Sequence, residues 1–308
     1  MKPAAFELRR PMAIDEAIAM LADGGDREVK PLAGGQSLIA MMNLRLSRPE
    51  VLVDLGELAE LRYLDVDADS CLRVGAMTRQ RTLEKSSLVR DGWPTLSDAL
   101  SLVAHVPIRN RGTFGGSLAH ADPAAELCAV GLALDARVIL RSERGTREVP
   151  AGELFLGPFT TILEPDELLT EIVVPPVPPR TGSAFEEMAR RRGDFALAGV
   201  LAVLTAGPGG TIADARLAYI SLGPSAFRSA AAERLLRGAD GGADAFAAAA
   251  AAAVAEMAPA SDTQASGDFR RHLARVLTRR ALAWAWARAT DTGDGGGGRD
   301  AAMASEQD

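Results

Sequence analysis

Apolar positions recur at helical spacing through Ile14, Ala17, Ile18 and Leu21, and the pattern stops at Asp23, Gly24 and Gly25. This predicts a helix with a glycine stop. A short apolar segment, Val29 to Leu32, runs straight into Ala33, Gly34, Gly35, Gln36 and Ser37. A helix-compatible stretch follows from Leu38 to Leu44, and then the β-rich Val51, Leu52, Val53 and Asp54. The predicted order is strand, glycine turn, helix, strand.

A second stretch opens with a strand at Cys71 to Ala76 and passes through helices near Arg79 to Lys85 and Thr95 to Ala104. It reaches another glycine-bearing loop, Arg111 to Ser117. Pro123 to Leu134 reads as a helix with proline at its start, and Ala136 to Leu140 and Glu171 to Val174 read as strands. The run Pro175, Pro176, Val177, Pro178, Pro179 is the clearest boundary in the chain. Beyond it come strands at Ala184 to Ala189, Val200 to Thr205 and Leu217 to Leu222. Helices at Ser229 to Leu236, Ala243 to Met257 and Phe269 to Ala289 follow. Strands and then helices in blocks predict an α+β layer, three antiparallel strands with helices on one face. From Thr290 the chain is rich in Gly, Asp, Ser and Gln and is expected to be a disordered tail. The expected domains are 1–176, with subdomains of about 1–56 and 57–176, then 177–289, then the tail 290–308.

Composition narrows the class. Hydrophobic residues are 47% and charged residues 24% of the 308, close to the average of globular proteins. No apolar run reaches the roughly 18 to 20 residues needed to span a bilayer. Glu7, Arg9 and Arg10 stand where a signal peptide would need an apolar core, so the chain reads as cytoplasmic with no transmembrane segment. A net charge of −7 argues against nucleic-acid partners, and Arg190 to Arg192 reads as a solvated strand end. The two cysteines, Cys71 and Cys128, lie in apolar stretches with no CxxC, and the three histidines share no ligand spacing. They read as buried thiols rather than cluster or zinc ligands. Redox chemistry in this chain would need a bound organic cofactor or another chain.

The glycine loops are the most informative segments. Glycines directly after a strand let a ligand touch the main chain, and the free N–H groups beyond them suit a phosphate. A lone Gly-Gly reads more readily as a tight turn. No Gly-Lys-Ser/Thr follows it, so it is not a Walker loop, and it lacks the GxGxxG of a Rossmann fingerprint. The second loop changes the balance. Thr113, Phe114, Gly115, Gly116 and Ser117 precede His120 and Asp122, so two Gly-Gly-hydroxyl loops could offer backbone donors from both sides of a diphosphate. Asp122 could accept from sugar hydroxyls. A dinucleotide is the ligand this pattern suits.

The segments PLAGGQSLIAMMNLRLSRPEVLVDLG, IRNRGTFGGSLAHADPAAEL, FLGPFTTILEPDELLTEIVVP, ARRRGDFALAGV and SGDFRRHLARVLTRRAL resemble the flavin subunits of the carbon monoxide dehydrogenase and xanthine dehydrogenase family. The resemblance covers nearly the whole chain except the tail. It implies an α+β fold, a p-cresol methylhydroxylase-type FAD-binding domain of two α/β subdomains followed by the smaller α+β domain. It also implies a medium subunit that binds FAD and carries electrons. The implied partners are an iron–sulfur small subunit and a molybdenum-cofactor large subunit, in a dimer of heterotrimers.

By that resemblance Ala33, Gly34, Gly35, Gln36 and Ser37 hold the FAD pyrophosphate, and Leu32 and Leu38 on either side belong to the cofactor-binding residues. Thr113, Phe114, Gly115, Gly116 and Ser117 form the second flavin loop, Asp122 contacts the adenosine half, and the Leu169 backbone lies near the flavin ring. A lysine of the xanthine-oxidising branch stands here as Glu186, so that contact is not carried over. Phe114 replaces a usual Ile, and its larger ring is expected to cover or shift the flavin. His120 reads either as a hydrogen-bond partner of flavin or phosphate or as a helix-entry histidine bonded to backbone. Met41 and Met42 read as core, His105 and His272 as structural or surface. Trp284 and Trp286 should face different sides of one helix.

The implied function is that of an oxidoreductase subunit with no catalytic acid, base or metal site of its own. A stand-alone FAD-dependent oxidase and a non-enzymatic nucleotide-binding protein are the alternatives. The parent complex's substrate is set elsewhere, in the molybdenum subunit.

Overall fold

The computed structural model describes residues 2–291. The first unit is a parallel sheet of strands β1 (Glu7–Arg9), β2 (Val29–Leu32) and β3 (Val51–Asp54), in the order β1-β3-β2. β3 is central because Val51, Leu52 and Val53 are wholly buried, the continuous apolar run of a parallel strand covered on both faces. β2 carries Pro31 and sits at the edge, where a missing N–H costs no ladder bond. Helix Ile14–Ala22 turns Ile14, Ala17, Ile18 and Leu21 into a small core with Val53, Leu55 and Leu58.

The second unit is a five-stranded antiparallel sheet. Its strands are β4 (Leu64–Val66), β5 (Leu72–Gly75), β6 (Arg137–Ser142), β7 (Gly145–Pro150) and, after a small hairpin of β8 (Phe155–Gly157) and β9 (Thr160–Thr161), β10 (Leu168–Val174). The order is β4-β5-β10-β6-β7, with every residue of β10 buried. Helices Gln80–Lys85, Pro94–Leu102, Phe114–His120 and Glu126–Ala133 contribute Leu83, Leu96, Leu118 and Leu127 to the core over this sheet. The helix expected from Pro123 starts only at Glu126. Asp122 accepts from the Ala124 amide through its side chain (2.9 Å) and from the Ala125 amide through its carbonyl (3.0 Å), which holds Pro123 to Ala125 in a turn.

The third unit holds strands β11 (Thr181–Met188), β12 (Ala198–Ala206), β13 (Ile212–Ile220) and β14 (Phe227–Arg228). The expected three strands are therefore four, all antiparallel, because a two-residue strand closes the edge beside β13. Successive side chains point to opposite faces of a strand. Val200, Ala202, Leu204, Leu217 and Tyr219 face helices Ala243–Ala255 and Gly267–Thr290. Leu201, Val203, Ala218 and Ile220 join the core of the second unit instead. Both faces of this sheet are thus buried, one of them against helix Glu126–Ala133.

Cys71 and Cys128 are free and buried, and Arg190 to Arg192 are exposed just past β11. Met42 is core, while Trp284 is 44% exposed and Trp286 packs inward. The last helix runs through Thr290, and the rest of the expected tail, from residue 292, lies outside the described residues.

Candidate functional site

The chain leaves β2 at Leu32, whose partner across the sheet is Asp54 at the end of β3. The loop Ala33 to Ser37 follows and enters helix Leu38–Asn43. Gly35 takes φ +71°, a left-handed conformation that a side chain strains. The Gln36 side-chain amide donates to the Gly34 carbonyl at 3.0 Å, and the Ile39 amide donates to the Gly35 carbonyl at 3.3 Å. Among the described residues, the backbone N–H groups of Gly34, Gly35, Gln36, Ser37 and Leu38 have no protein acceptor. Five consecutive donors left open in one loop suit an anion or ordered water.

The second loop packs directly against the first. A Cβ on Gly34 would lie 2.4 Å from the Arg111 carbonyl oxygen, and one on Gly116 would lie 3.2 Å from the Ala33 Cβ. Its amides from Phe114 to Ser117, however, are already used. Phe114 donates to the Thr78 carbonyl (3.2 Å), Gly115 to the Ala76 carbonyl (3.0 Å), Gly116 to the Thr113 hydroxyl (3.0 Å) and Ser117 to the Thr113 carbonyl (3.2 Å). Among the described residues, the second loop keeps the Thr113 amide without a protein acceptor, against five such amides in the first. Thr113 caps helix Phe114–His120, and the segment Ala76 to Thr78 docks edge-on against it. The Phe114 ring is wholly buried in the core over the second sheet.

His120 ends that helix, half-buried, with its ring 5.1 Å from that of Phe159. Burial lowers its pKa, and the nearby Asp122 carboxylate partly opposes this, so the ring is held towards its neutral form. Asp122 has one oxygen on the Ala124 amide. Leu169 is buried opposite Leu140, beside a β-bulge at Thr170. The Thr170 carbonyl accepts from the Ala76 amide at 2.9 Å, and the Ala76 carbonyl accepts from Gly115, which links β10 to the second loop.

Three features escape motif reading. Arg79 is half-buried, and its guanidinium donates to the Arg111 carbonyl that lies on Gly34. Burial, then repulsion from Arg62 and Arg111, lowers its pKa against an opposing effect of Asp54. Burial raises Glu126, at the start of helix Glu126–Ala133, to about 8 and Glu187, on β11, to about 7. The Glu187 Oε2 is buried with no hydrogen-bond partner among the described residues. A charge inside an apolar run, as in Ala125-Glu126-Leu127-Cys128, is the only trace these groups leave in the sequence. Among the described residues no group of three or more His, Cys, Asp or Glu side chains could hold a metal ion. None of their helices is long and apolar enough to cross a membrane.

Comparison with known proteins places this geometry in a family. Residues 4–177 match the profile described as the FAD binding domain in molybdopterin dehydrogenase, and residues 183–285 match the CO dehydrogenase flavoprotein C-terminal domain. The chain is 40% identical to the 6-hydroxypseudooxynicotine dehydrogenase complex subunit alpha of Paenarthrobacter nicotinovorans, over 92% of this chain and 95% of that one. It is 38% identical to the carbon monoxide dehydrogenase medium chain of Hydrogenophaga pseudoflava, over 92% of this chain and 99% of that one. The solved carbon monoxide dehydrogenase of the same organism superposes with a TM-score of 0.91 at 40% identity, covering 94% of this chain and 99% of that chain. Both units of the sequence match in order and nearly end to end, and the chain belongs to the FAD-binding medium subunits of the molybdenum hydroxylases.

Proposed function

We propose that this chain is the electron-carrying subunit of a cytoplasmic molybdenum hydroxylase. In this reading it works between an iron–sulfur small subunit and a molybdenum-cofactor large subunit, in a dimer of heterotrimers. FAD, when bound, supplies a redox centre that accepts electrons from the iron–sulfur side and yields them to an acceptor such as NAD, a quinone or oxygen. The domains proposed are 1–176 for FAD and 177–289 for the packing module.

The observation that carries the reading is the set of five open amides from Gly34 to Leu38. They fit a diphosphate, because each points a donor from backbone that the protein leaves unpaired, and Gly35 keeps the approach clear of a Cβ. Ala33 to Ser37 would hold that group, with Leu32 and Leu38 at the ends of the cradle. The second loop would contribute shape, the Thr113 amide and the Ser117 hydroxyl. Asp122 would accept from the adenosine ribose through the oxygen not given to Ala124, and His120 would contribute a neutral ring at the same end of the helix. The Leu169 backbone, tied through Thr170 and Ala76 to the second loop, would border the flavin ring. None of these groups needs to move a proton for the chain to serve as a carrier.

Co-purification with both partners tests this function. Adding the parent complex's substrate should bleach the flavin of the three-chain particle, whereas the FAD-loaded chain alone should stay oxidised. Turnover of an organic substrate by the isolated chain at ordinary enzyme rates would establish a stand-alone oxidase instead.

A further inference from the structure

The first glycine loop offers open backbone donors, and guanidinium groups crowd its flank. Arg79, at the N-cap of helix Gln80–Lys85, reaches the Arg111 carbonyl, and that carbonyl lies against Gly34. The guanidinium of Arg79 therefore stands one carbonyl group away from the cradle. Arg62 and Arg111 are near enough to repel it, and both are exposed. One carboxylate, Asp54, opposes them, and it is already engaged. Its Oδ1 accepts from the Gly56 amide at 2.9 Å and its Oδ2 lies 3.8 Å from the Arg10 Nε.

Like charges brought together while one of them is partly desolvated raise the free energy of the ligand-free fold. An anion with several oxygens relieves that cost, and guanidinium is the side chain best matched to phosphate oxygens. Two independent features, open amides on one side and under-compensated cations on the other, converge on the same loop. We infer that Arg79, flanked by Arg62 and Arg111, binds the diphosphate of FAD together with the amides of Gly34 to Leu38. The inference rests on the FAD reading of that loop and adds its missing counter-charge. Arg79 is the principal residue, because its guanidinium is fixed on the Arg111 carbonyl, while Arg62 and Arg111 reinforce it through space.

The test uses the full chain stripped of flavin and titrated with FAD at several salt concentrations, read by flavin fluorescence. Arg79→Gln should weaken FAD binding by roughly tenfold, the scale of one charge-assisted contact, and should flatten the dependence of affinity on salt. Arg79→Lys should keep the salt dependence. Arg62→Gln and Arg111→Gln should each weaken binding less, and they carry the test if Arg79→Gln does not fold, since both side chains are exposed. Unchanged affinity and unchanged salt dependence across the glutamine variants would overturn the inference while leaving the FAD site standing. A wild-type chain that fails to take up FAD would overturn the site reading itself, and the inference with it.

Discussion

Gly34 and Gly35 are neighbours that sequence cannot tell apart, and the fold uses them for different ends. Gly34 lets two loops touch backbone to backbone, whereas Gly35 supplies a left-handed turn with only the Ile39 and Leu32 side chains near its missing Cβ. Both read as ligand-approach glycines in the sequence, and the packing role of Gly34 was invisible because it depends on a segment far along the chain. The burial of Phe114 was hidden for a related reason: helical phase after Thr113 points its ring inward, and a motif carries no phase. The buried carboxyls were hidden as well, and they have a measurable consequence. Burial raises Glu126 to about 8 and Glu187 to about 7 from an ordinary 4.5. Protons held more tightly by the fold than by the unfolded chain contribute stability that is complete below 4.5 and is lost as pH rises through the folded values. The Tm of the flavin-free chain should therefore fall between pH 4.5 and about 8, and the double variant Glu126→Gln, Glu187→Gln should flatten that fall. A parent and variant whose Tm difference stays constant across this window would show that the two carboxyls are ionised throughout.

At the level of elements, what the sequence hid were edges and turns. β1 and β7 are polar edge strands, ELR and GTREVP, with little alternation to read; β1 pairs with the distant β3, and β7 with its hairpin neighbour β6. β10 was read only from Glu171, because Thr170 and Glu171 interrupt an otherwise apolar run. Glu171 is tolerated there because Arg73 pairs with it, with Nε to Oε2 at 3.1 Å. The central strand β3 and the helix Ile14–Ala22 were legible because one period governs each. Helix Phe114–His120 begins at the Thr113 hydroxyl, which accepts from Gly116 at 3.0 Å. Replacing Thr113 by Ala should cost about 1 kcal/mol, as loss of an N-cap does, while Thr113→Ser should cost far less. Urea unfolding measures both. Equal losses in the two variants would assign the effect to the methyl group in the core rather than to the cap.

Across the whole molecule, the two glycine loops and three flanking segments, in their order along the chain, carried the family resemblance, and the profile matches at 4–177 and 183–285 agree with it. The arrangement of charge around the first loop was not legible, since Arg62, Arg79 and Arg111 are scattered in sequence and meet only in the fold. The sheet β11 to β14 has a consequence for how the protein comes into being. Leu201, Val203, Ala218 and Ile220 lie under the second unit, so separating the segments would present an apolar face to water. Residues 177–289 made alone should therefore aggregate or bind a hydrophobic dye, and calorimetry of the intact chain should show one transition rather than two. Two well-resolved transitions would show that each part melts by itself. With one transition, the C-terminal segment waits during synthesis for a surface that the earlier part has already built, and a truncation upstream destroys the downstream segment without touching a residue of it.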